Sequence, residues 1–305
     1  MAAVQGALAF FDSGRAMSHN GTWREMPSLF RTFFRRLRGA LVATYEDGGL
    51  STAKGAAYSA LTAFFPLLAT MATILVRFQA DFVSRQLSRF LAEILPPGTR
   101  DLVFQYFAVR GKQPILIPVT GMLVSVWAAS GVIVSLAEGF RAAYRIPAGR
   151  SFVHERVVAL LLVLSAAIPM LIASVLILFG VHIERWLVQA LGLLPAGAEV
   201  HGRLHLLTSL VRVPVALGAI ALGAAILYRY GPNRPQNWNR VWPGAMLATA
   251  LWLGATTLFA WYARHIANYN VVYGSVAAVI LLLVWMYVLA VIALIGCEFN
   301  AQCEK

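Results

Sequence analysis

The sequence predicts an all-α polytopic membrane protein, with six transmembrane helices plus interfacial amphipathic helices. Hydrophobic residues make up 59% of the 305-residue chain and charged residues only 12%, which is about half of the roughly 25% typical of soluble domains. Several apolar stretches reach the length of about 20 residues that crosses a bilayer as a helix. The last of these stretches, residues 276–296, carries no charge at all.

An amphipathic segment precedes the first of these stretches. Residues 1–26 are mixed and polar, and we expect a mobile tail there. In residues 27–46 apolar side chains recur at helical spacing and arginines fall between them, which predicts an interfacial helix. It either binds anionic lipid or only packs against the bundle, and the two are compatible. The side chains predicted to contact anionic lipid are Arg31, Arg35, Arg36 and Arg38.

Six spans follow the interfacial helix and complete a single membrane domain, residues 27–302, before a short C-terminal tail, residues 303–305. Further amphipathic helices are expected within residues 78–113 and 183–194, and a polar turn at residues 231–237. The predicted spans are residues 55–76, 114–137, 157–181, 206–228, 242–262 and 274–297.

The charge distribution predicts the orientation. The net charge is +12, which in a soluble protein would suggest nucleic acid, but in a membrane protein reflects topology and anionic lipid. With the N-terminus inside, fifteen of the 25 Lys and Arg residues lie on the inner side and nine on the outer side. This bias favours both termini in the cytoplasm. Membrane lipids are therefore the expected partners, and nucleic acid is not.

Small residues and prolines mark the interior of the spans. Glycine, serine and alanine recur every four residues, from Gly55 and Ser59 in the first span and from Gly121 in the second. Such stripes let helix backbones approach closely and are typical of packing faces. Pro66 and Pro214 each free a backbone carbonyl inside a span. They indicate either simple kinks or positions that line a substrate path.

Charges within or at the ends of spans are the other candidates for a substrate path. Arg212 lies inside the fourth span, and it either reaches back to the outer surface or binds an anionic group in a cavity. Glu138 ends the second span and Glu298 the sixth. Glu298 is either a structural anchor or part of a site. An ionisable group at membrane depth is costly unless it is paired or hydrated.

No feature of the sequence indicates an enzyme. The 13 acidic residues are scattered over termini and loops, so the carboxylate or histidine cluster that a metal-dependent phosphodiesterase needs is not formed. His201 and His205 have the spacing of a metal pair, but no acidic helix motif surrounds them. The two cysteines make neither a disulfide framework nor a metal-ligand pattern. We therefore predict no cofactor, no metal and no catalytic residue.

Both ends of the predicted domain resemble the YihY/BrkB family of bacterial inner-membrane proteins, once misnamed ribonuclease BN. The residues that carry the resemblance are Ala56, Ala57, Tyr58, Phe65 and Pro66 in the first span, and Tyr273, Gly274, Ser275, Trp285, Gly296, Glu298 and Asn300 in the last.

The resemblance implies a multi-pass protein of the bacterial inner (cytoplasmic) membrane. It implies a transporter or lipid-translocating protein, with an anionic lipid or envelope precursor as the expected class of substrate, and not a ribonuclease. It also makes Tyr273 and Gly274 candidates for the substrate path. The alternative is a non-transporting scaffold of the cell envelope, and either protein could form a homo-oligomer.

Overall fold

The computed structural model describes residues 28–77, 116–147, 149–190, 203–234, 236–265 and 274–304. The described part of the chain is all-helical, as the sequence predicts. Its seven helices are α1 (Ser28–Glu46), α2 (Gly49–Arg77), α3 (Leu116–Ala143), α4 (Phe152–Ala190), α5 (Arg203–Tyr230), α6 (Trp238–His265) and α7 (Gly274–Glu304).

Helices α2 to α7 form a closed ring. Each packs against the next in chain order, and α7 packs back against α2. Helix α7 also contacts α3, and α1 lies against α7 and α2 outside the ring. The last and most apolar helix therefore has the most neighbours among the described helices. Trp285 of α7 is buried and stacks on Phe259 of α6, with ring centroids 4.9 Å apart.

The small-residue stripes are the contact faces of α2 and α3, as predicted. A Cβ on Gly55 would lie 3.3 Å from Ser135 Oγ, and a Cβ on Gly131 would lie 3.0 Å from Ser59 Oγ. One on Gly121 would collide with Thr70 Oγ1. The two helices thus run antiparallel, side by side, over most of their length. Pro66 lies within this contact, and its carbonyl accepts a hydrogen bond from Thr70 Oγ1 at 2.8 Å.

Two left-handed residues end helices at the turns. Gly48, with φ of 74°, closes the turn between α1 and α2, a conformation that glycine adopts at no steric cost. Arg145, with φ of 53°, has the same role after α3, where the N–H of Ile146 bonds back to the carbonyl of Arg141 at 2.9 Å.

Five described helical segments are long and apolar enough to cross a membrane: Val119–Ala143, Phe152–Ile177, Arg212–Tyr230, Trp238–Tyr262 and Val279–Glu304. Helix α2, the first predicted span, forms as predicted but is not among these five. The number six therefore stays a prediction.

The helices extend past the predicted spans, because polar residues at both ends continue the helical hydrogen bonding outside the apolar stretch. The separate interfacial helix predicted from residue 183 is wrong in one respect: α4 runs without interruption to Ala190. Gly180 is tolerated inside a helix and does not end it. The tail at residues 1–26 and the predicted helices within 78–113 lie outside the described residues.

Candidate functional site

A cavity of about 480 Å³ opens at the end of the bundle where α5 ends, α6 begins and α7 ends. We call it the arginine cavity. Its lining is cationic and amide-rich: Arg150, Arg229, Tyr230, Pro232, Asn233, Arg234, Gln236, Asn237, Arg240 and Glu304. Its volume lies within the range of roughly 300–1,000 Å³ typical of small-molecule sites.

The turn between α5 and α6 brings the arginines together. Arg229 is in the last turn of α5, Arg234 is in the connection, and Arg240 is in the first turn of α6. Arg150 comes from the connection between α3 and α4. Its guanidinium donates to the carbonyls of Gly231 at 3.2 Å and Tyr230 at 3.0 Å, which lack partners within α5 because a helix leaves its last carbonyls unpaired.

Two of the residues that line this cavity carry buried donors. Arg229 stacks over Trp238, at 4.8 Å from the ring centroid, and donates through Nη1 to the carbonyl of Gln236. Within the described part of the chain, the Nε of Arg229 and the Nε2 of Gln236 are buried and have no acceptor. A buried donor without an acceptor is costly, so both atoms favour an anionic or carbonyl oxygen in the cavity.

One carboxylate partly balances the positive charge of the cavity. Glu304, near the end of α7, lies 2.8 Å from Arg234 and 3.9 Å from Arg240. Burial lowers the pKa of Arg150, with Arg141 adding to the effect and Glu155 opposing it, but arginine stays charged at neutral pH. Burial also raises the pKa of the nearby Tyr144 phenol, which stays neutral. Four arginines against one glutamate leave the cavity strongly positive.

A second cationic site lies deeper in the bundle, and sequence reasoning missed it. Arg156 of α4 reaches across to α3, where its guanidinium carbon lies 4.4 Å from the centroid of the Trp127 ring and its Nη1 donates to Ser130 Oγ at 3.0 Å. The predicted third span begins at residue 157, which leaves Arg156 in the connection before it. Helix α4 begins five residues before the predicted span, so Arg156 is part of the helix.

The two ends of α6 and α7 that border the cavity are locked together at Gly296. A Cβ on Gly296 would collide with the hydroxyl of Tyr228 and lie 2.8 Å from the carbonyl oxygen of Gly244. Asn300, one turn further along α7, bonds to the backbone of α6. The Tyr228 hydroxyl donates to the carbonyl of Ala293 at 2.9 Å. These contacts fix the position of Glu304 at the rim of the cavity.

The family described as virulence factor BrkB matches residues 40–305. This chain belongs to that family. The matched region includes α2 to α7 and the last part of α1, and the resemblance drawn from Gly296, Glu298 and Asn300 is thereby confirmed.

Relatives of the BrkB-family chain carry either ribonuclease-like or membrane-protein names. The ribonuclease-like protein YfkH of Bacillus subtilis is 26% identical over 84% of this chain and 90% of its own length. A UPF0761 membrane protein of Alteromonas mediterranea is 27% identical over 93% of this chain and 90% of its own. Another, of Tolumonas auensis, is 28% identical over 80% and 77%. No solved structure matches significantly.

The BrkB-family features of α7 fall on two faces. Gly296 and Asn300 pack on α6. Glu298 is only 3% exposed, and the next residue, Phe299, packs on Phe33 of α1 with ring centroids 5.6 Å apart. Glu298 is not part of the cavity lining, so the structure brings it to the cavity end of the bundle but not into the site. Gly274 begins α7, and Tyr273 lies outside the described residues.

The other predicted path residues are not brought together. Arg212 is half-buried in α5, about 27 Å along the helix from the cavity end at 1.5 Å per residue, and the side chain of Pro214 beside it is exposed. Glu138 is exposed on α3, and α2 and α5 continue through Pro66 and Pro214. The structure thus places these residues at different depths and on different faces.

Three of the four arginines of α1 that were predicted to contact lipid are exposed. Arg31, Arg35 and Arg38 are exposed, while Arg36 is half-buried and hydrogen-bonds Cys303 of α7. Within the described ranges, no group of three or more His, Cys, Asp or Glu side chains is placed to hold a metal ion. His201 and His205 lie outside the described residues.

Proposed function

We propose that this protein moves an anionic lipid, or a related envelope precursor with a phosphate-bearing headgroup, across the bacterial inner membrane. The observation that carries the proposal is the arginine cavity at one end of a ring of apolar helices. A headgroup can enter such a cavity while its acyl chains stay along the apolar outer surface of the bundle. We place the cavity at the cytoplasmic face, because the Lys and Arg bias favours that orientation.

The chemistry of the lining fits a phosphate. Guanidinium groups present planar paired donors that match phosphate oxygens, and such charge-assisted hydrogen bonds are short and strong. The two buried donors, Arg229 Nε and Gln236 Nε2, have no acceptor among the described residues. A bound phosphate would provide acceptors to both. Asn233 and Asn237 add neutral amides at the same rim.

The same lining argues against phosphodiester cleavage. That reaction needs a metal cluster or an acid–base pair. Of the described residues that line the cavity, none is a histidine and the single carboxylate, Glu304, already contacts Arg234 and Arg240. The proposed role is therefore binding and transfer, and we assign no catalytic residue. A cavity of this size is also a poor match for nucleic acid, which requires an extended basic surface.

Lipid transfer in liposomes tests the proposal. Purified full-length protein is reconstituted with fluorescent phosphatidylglycerol or phosphatidylcholine, and transfer between leaflets is followed by quenching of the outer label. We expect transfer of the anionic lipid, lowered about tenfold or more when Arg150→Gln and Arg240→Gln are combined, because each charged hydrogen bond contributes about 1.5–3 kcal/mol.

Arg145→Gln is the matched control, since Arg145 is exposed at the same end and does not line the cavity. It should transfer lipid at the wild-type rate. If wild-type protein binds phosphatidylglycerol but moves neither lipid, the scaffold alternative is supported. Equal transfer by wild type and the double variant would remove the arginine cavity from the mechanism.

A further inference from the structure

Three helices meet around the guanidinium of Arg156. Its Nη1 donates to Ser130 Oγ, and the Ser130 hydroxyl in turn donates to the carbonyl of Trp127 at 2.6 Å. A Cβ on Gly131 would lie 3.8 Å from the same nitrogen and 3.0 Å from Ser59 Oγ of α2. Small residues of α2 and α3 thus leave the space into which the arginine of α4 extends. We call Arg156, Trp127 and Ser130 the inner arginine site.

The inner arginine site lies deep relative to the membrane surface. Glu138 of α3 is exposed on the outside of the bundle, and a carboxylate on that side belongs at the headgroup level or in water. Ser130 lies eight residues further along the same helix, about 12 Å at 1.5 Å per residue. Half of the hydrocarbon layer is about 15 Å thick. With Glu138 at the headgroup level, the guanidinium lies about 12 Å deeper along α3, within the hydrocarbon layer.

The side chain of Arg156 extends into the bundle, although it could also extend towards the membrane surface at the cavity end. Its neighbour Glu155 pairs with Arg141 at the cavity end of the bundle. An arginine that only needed to reach the headgroups would extend in that direction. Arg156 instead lies over the Trp127 ring, so its position is set by the contacts of α3.

No carboxylate among the described residues pairs with Arg156, and its buried Nε has no hydrogen-bond acceptor there. Its two partners, a serine hydroxyl and an indole ring, are uncharged. A cation at this depth is costly without a counter-charge, and an anionic group on the free edge of the guanidinium would provide both the charge and the acceptor.

The site is open to the lipid side of the bundle. Trp127 is 55% exposed on the outer surface, next to Leu123 and Val124, which are also exposed. A lipid headgroup can therefore approach from the bilayer and keep its acyl chains in hydrocarbon. A hydrated inorganic ion would have to cross the same apolar layer alone.

We propose that the inner arginine site binds the phosphate of an anionic lipid within the hydrocarbon layer of the membrane, at a place separate from the arginine cavity. The choice of a lipid phosphate rests on the proposed function, whereas the anion site itself rests on the geometry of Arg156. A phosphate oxygen accepts from Nη2 of the guanidinium, while Nη1 stays on Ser130. The inner arginine site then provides a polar binding site for a headgroup that moves between the two membrane surfaces.

Photocrosslinking of lipid to the full-length protein tests the proposal. Vesicles contain phosphatidylglycerol with a diazirine beside the headgroup, or phosphatidylcholine with the same label, and adducts are mapped by peptide mass spectrometry. We expect phosphatidylglycerol adducts within residues 123–131. Arg156→Gln should lower their yield about tenfold, the factor that corresponds to losing one charge-assisted contact. Arg145→Gln should leave the yield unchanged.

Two comparisons need only the wild-type protein, so they stand even if Arg156→Gln does not fold. Equal yields from phosphatidylglycerol and phosphatidylcholine would mean ordinary lipid contact and would overturn the proposal. Loss of the adducts in excess inorganic phosphate would overturn the assignment to lipid. The mapping does not depend on transfer between leaflets, so a failure of the proposed function and a failure of the inner arginine site give different results.

Discussion

Asn300 accepts a hydrogen bond from the backbone N–H of Gly244 at 2.6 Å through its Oδ1, and its Nδ2 donates to the carbonyl of Val241 at 3.1 Å. The side chain is fully buried between α6 and α7. The amide provides a donor and an acceptor on two separate atoms of one side chain. The asparagine near the end of the chain is therefore a clamp that holds the first turns of α6, from which Arg240 reaches the arginine cavity.

Gly244→Ala should destabilise the protein strongly. The added methyl would collide with the carbonyl oxygen of Gly296 and lie 2.6 Å from Asn300 Cγ, and backbone atoms cannot move aside without separating the helices. Overpacking of this kind costs about 1–3 kcal/mol or more. Thermal unfolding in detergent, followed by size-exclusion chromatography, measures the effect.

Gly254→Ala is the matched control for this substitution, because Gly254 is on the same helix and nothing lies within 4 Å of its added methyl. Alanine is favoured over glycine inside a helix by about 1 kcal/mol, so this variant should be as stable as wild type or more stable. An equal loss in both variants would contradict the role given to the Gly244 contact.

Glu304→Gln should tighten the binding of an anionic amphiphile to the arginine cavity. The carboxylate contacts Arg234 and Arg240, so an incoming phosphate has to compete with it. Removing this charge should lower the dissociation constant for phosphatidylglycerol by about threefold to tenfold, which corresponds to roughly 0.7–1.4 kcal/mol. Native mass spectrometry or microscale thermophoresis in detergent measures the change.

The control for this charge is Glu138→Gln, because Glu138 is exposed on α3 and does not line the cavity. It removes the same charge from the protein without touching the site. If both variants tighten binding equally, the effect comes from the net charge of the protein and not from the competition between Glu304 and the ligand.

The helices could be predicted from the sequence and the cavity could not, for a physical reason. Hydrophobicity is a local property, so the spans and the packing face of Gly55 and Gly121 were visible along the chain. Arg150 and Arg240 are separated by 90 positions, and in sequence they only add to the inner positive charge. Their proximity depends on how the turn after α5 folds against the connection before α4.

The inner arginine site was not predicted from the sequence because the start of the third span was placed a few residues too late. The sequence places the start of the third span at residue 157, whereas α4 begins at Phe152. Arg156 was therefore assigned to a polar connection, where an arginine needs no explanation. Trp127 and Ser130 gave no separate signal, since an aromatic residue and a serine are common in spans.

Lysine and glutamine variants of Arg212 distinguish its two possible roles, ligand binding and anchoring at the outer surface. If it binds a phosphate or carboxylate in a cavity, Arg212→Lys should lose most lipid transfer, because lysine lacks the planar paired donors. If it only reaches the outer surface, Arg212→Lys should transfer lipid at the wild-type rate. We expect both Arg212→Lys and Arg212→Gln to reach the membrane at normal abundance and to lose transfer. Full transfer by the lysine variant would leave Arg212 as an anchor.

Whether α2 crosses the membrane decides between six and five membrane crossings. Helix α2 is not among the five candidate spans found within the described residues. However, α2 lies antiparallel along α3, from Gly55 beside Ser135 to Thr70 beside Gly121, and this part of α3 lies within the candidate span Val119–Ala143. A contact over some fifteen residues covers about 22 Å of helix, so α2 occupies the same depth as its partner.

Six crossings would put both ends of the chain on one side of the membrane, and five would put them on opposite sides. Reporter fusions after Asn237 and after Lys305 should both report the cytoplasm, one after Gly197 should report the outside, and a cysteine introduced in the N-terminal tail should be labelled only from the cytoplasm. Labelling of that cysteine from the outside, with the other reporters unchanged, would mean that α2 lies within the bundle without crossing. In that case the serines and threonines of α2 contact the ring of helices from one side of the membrane only.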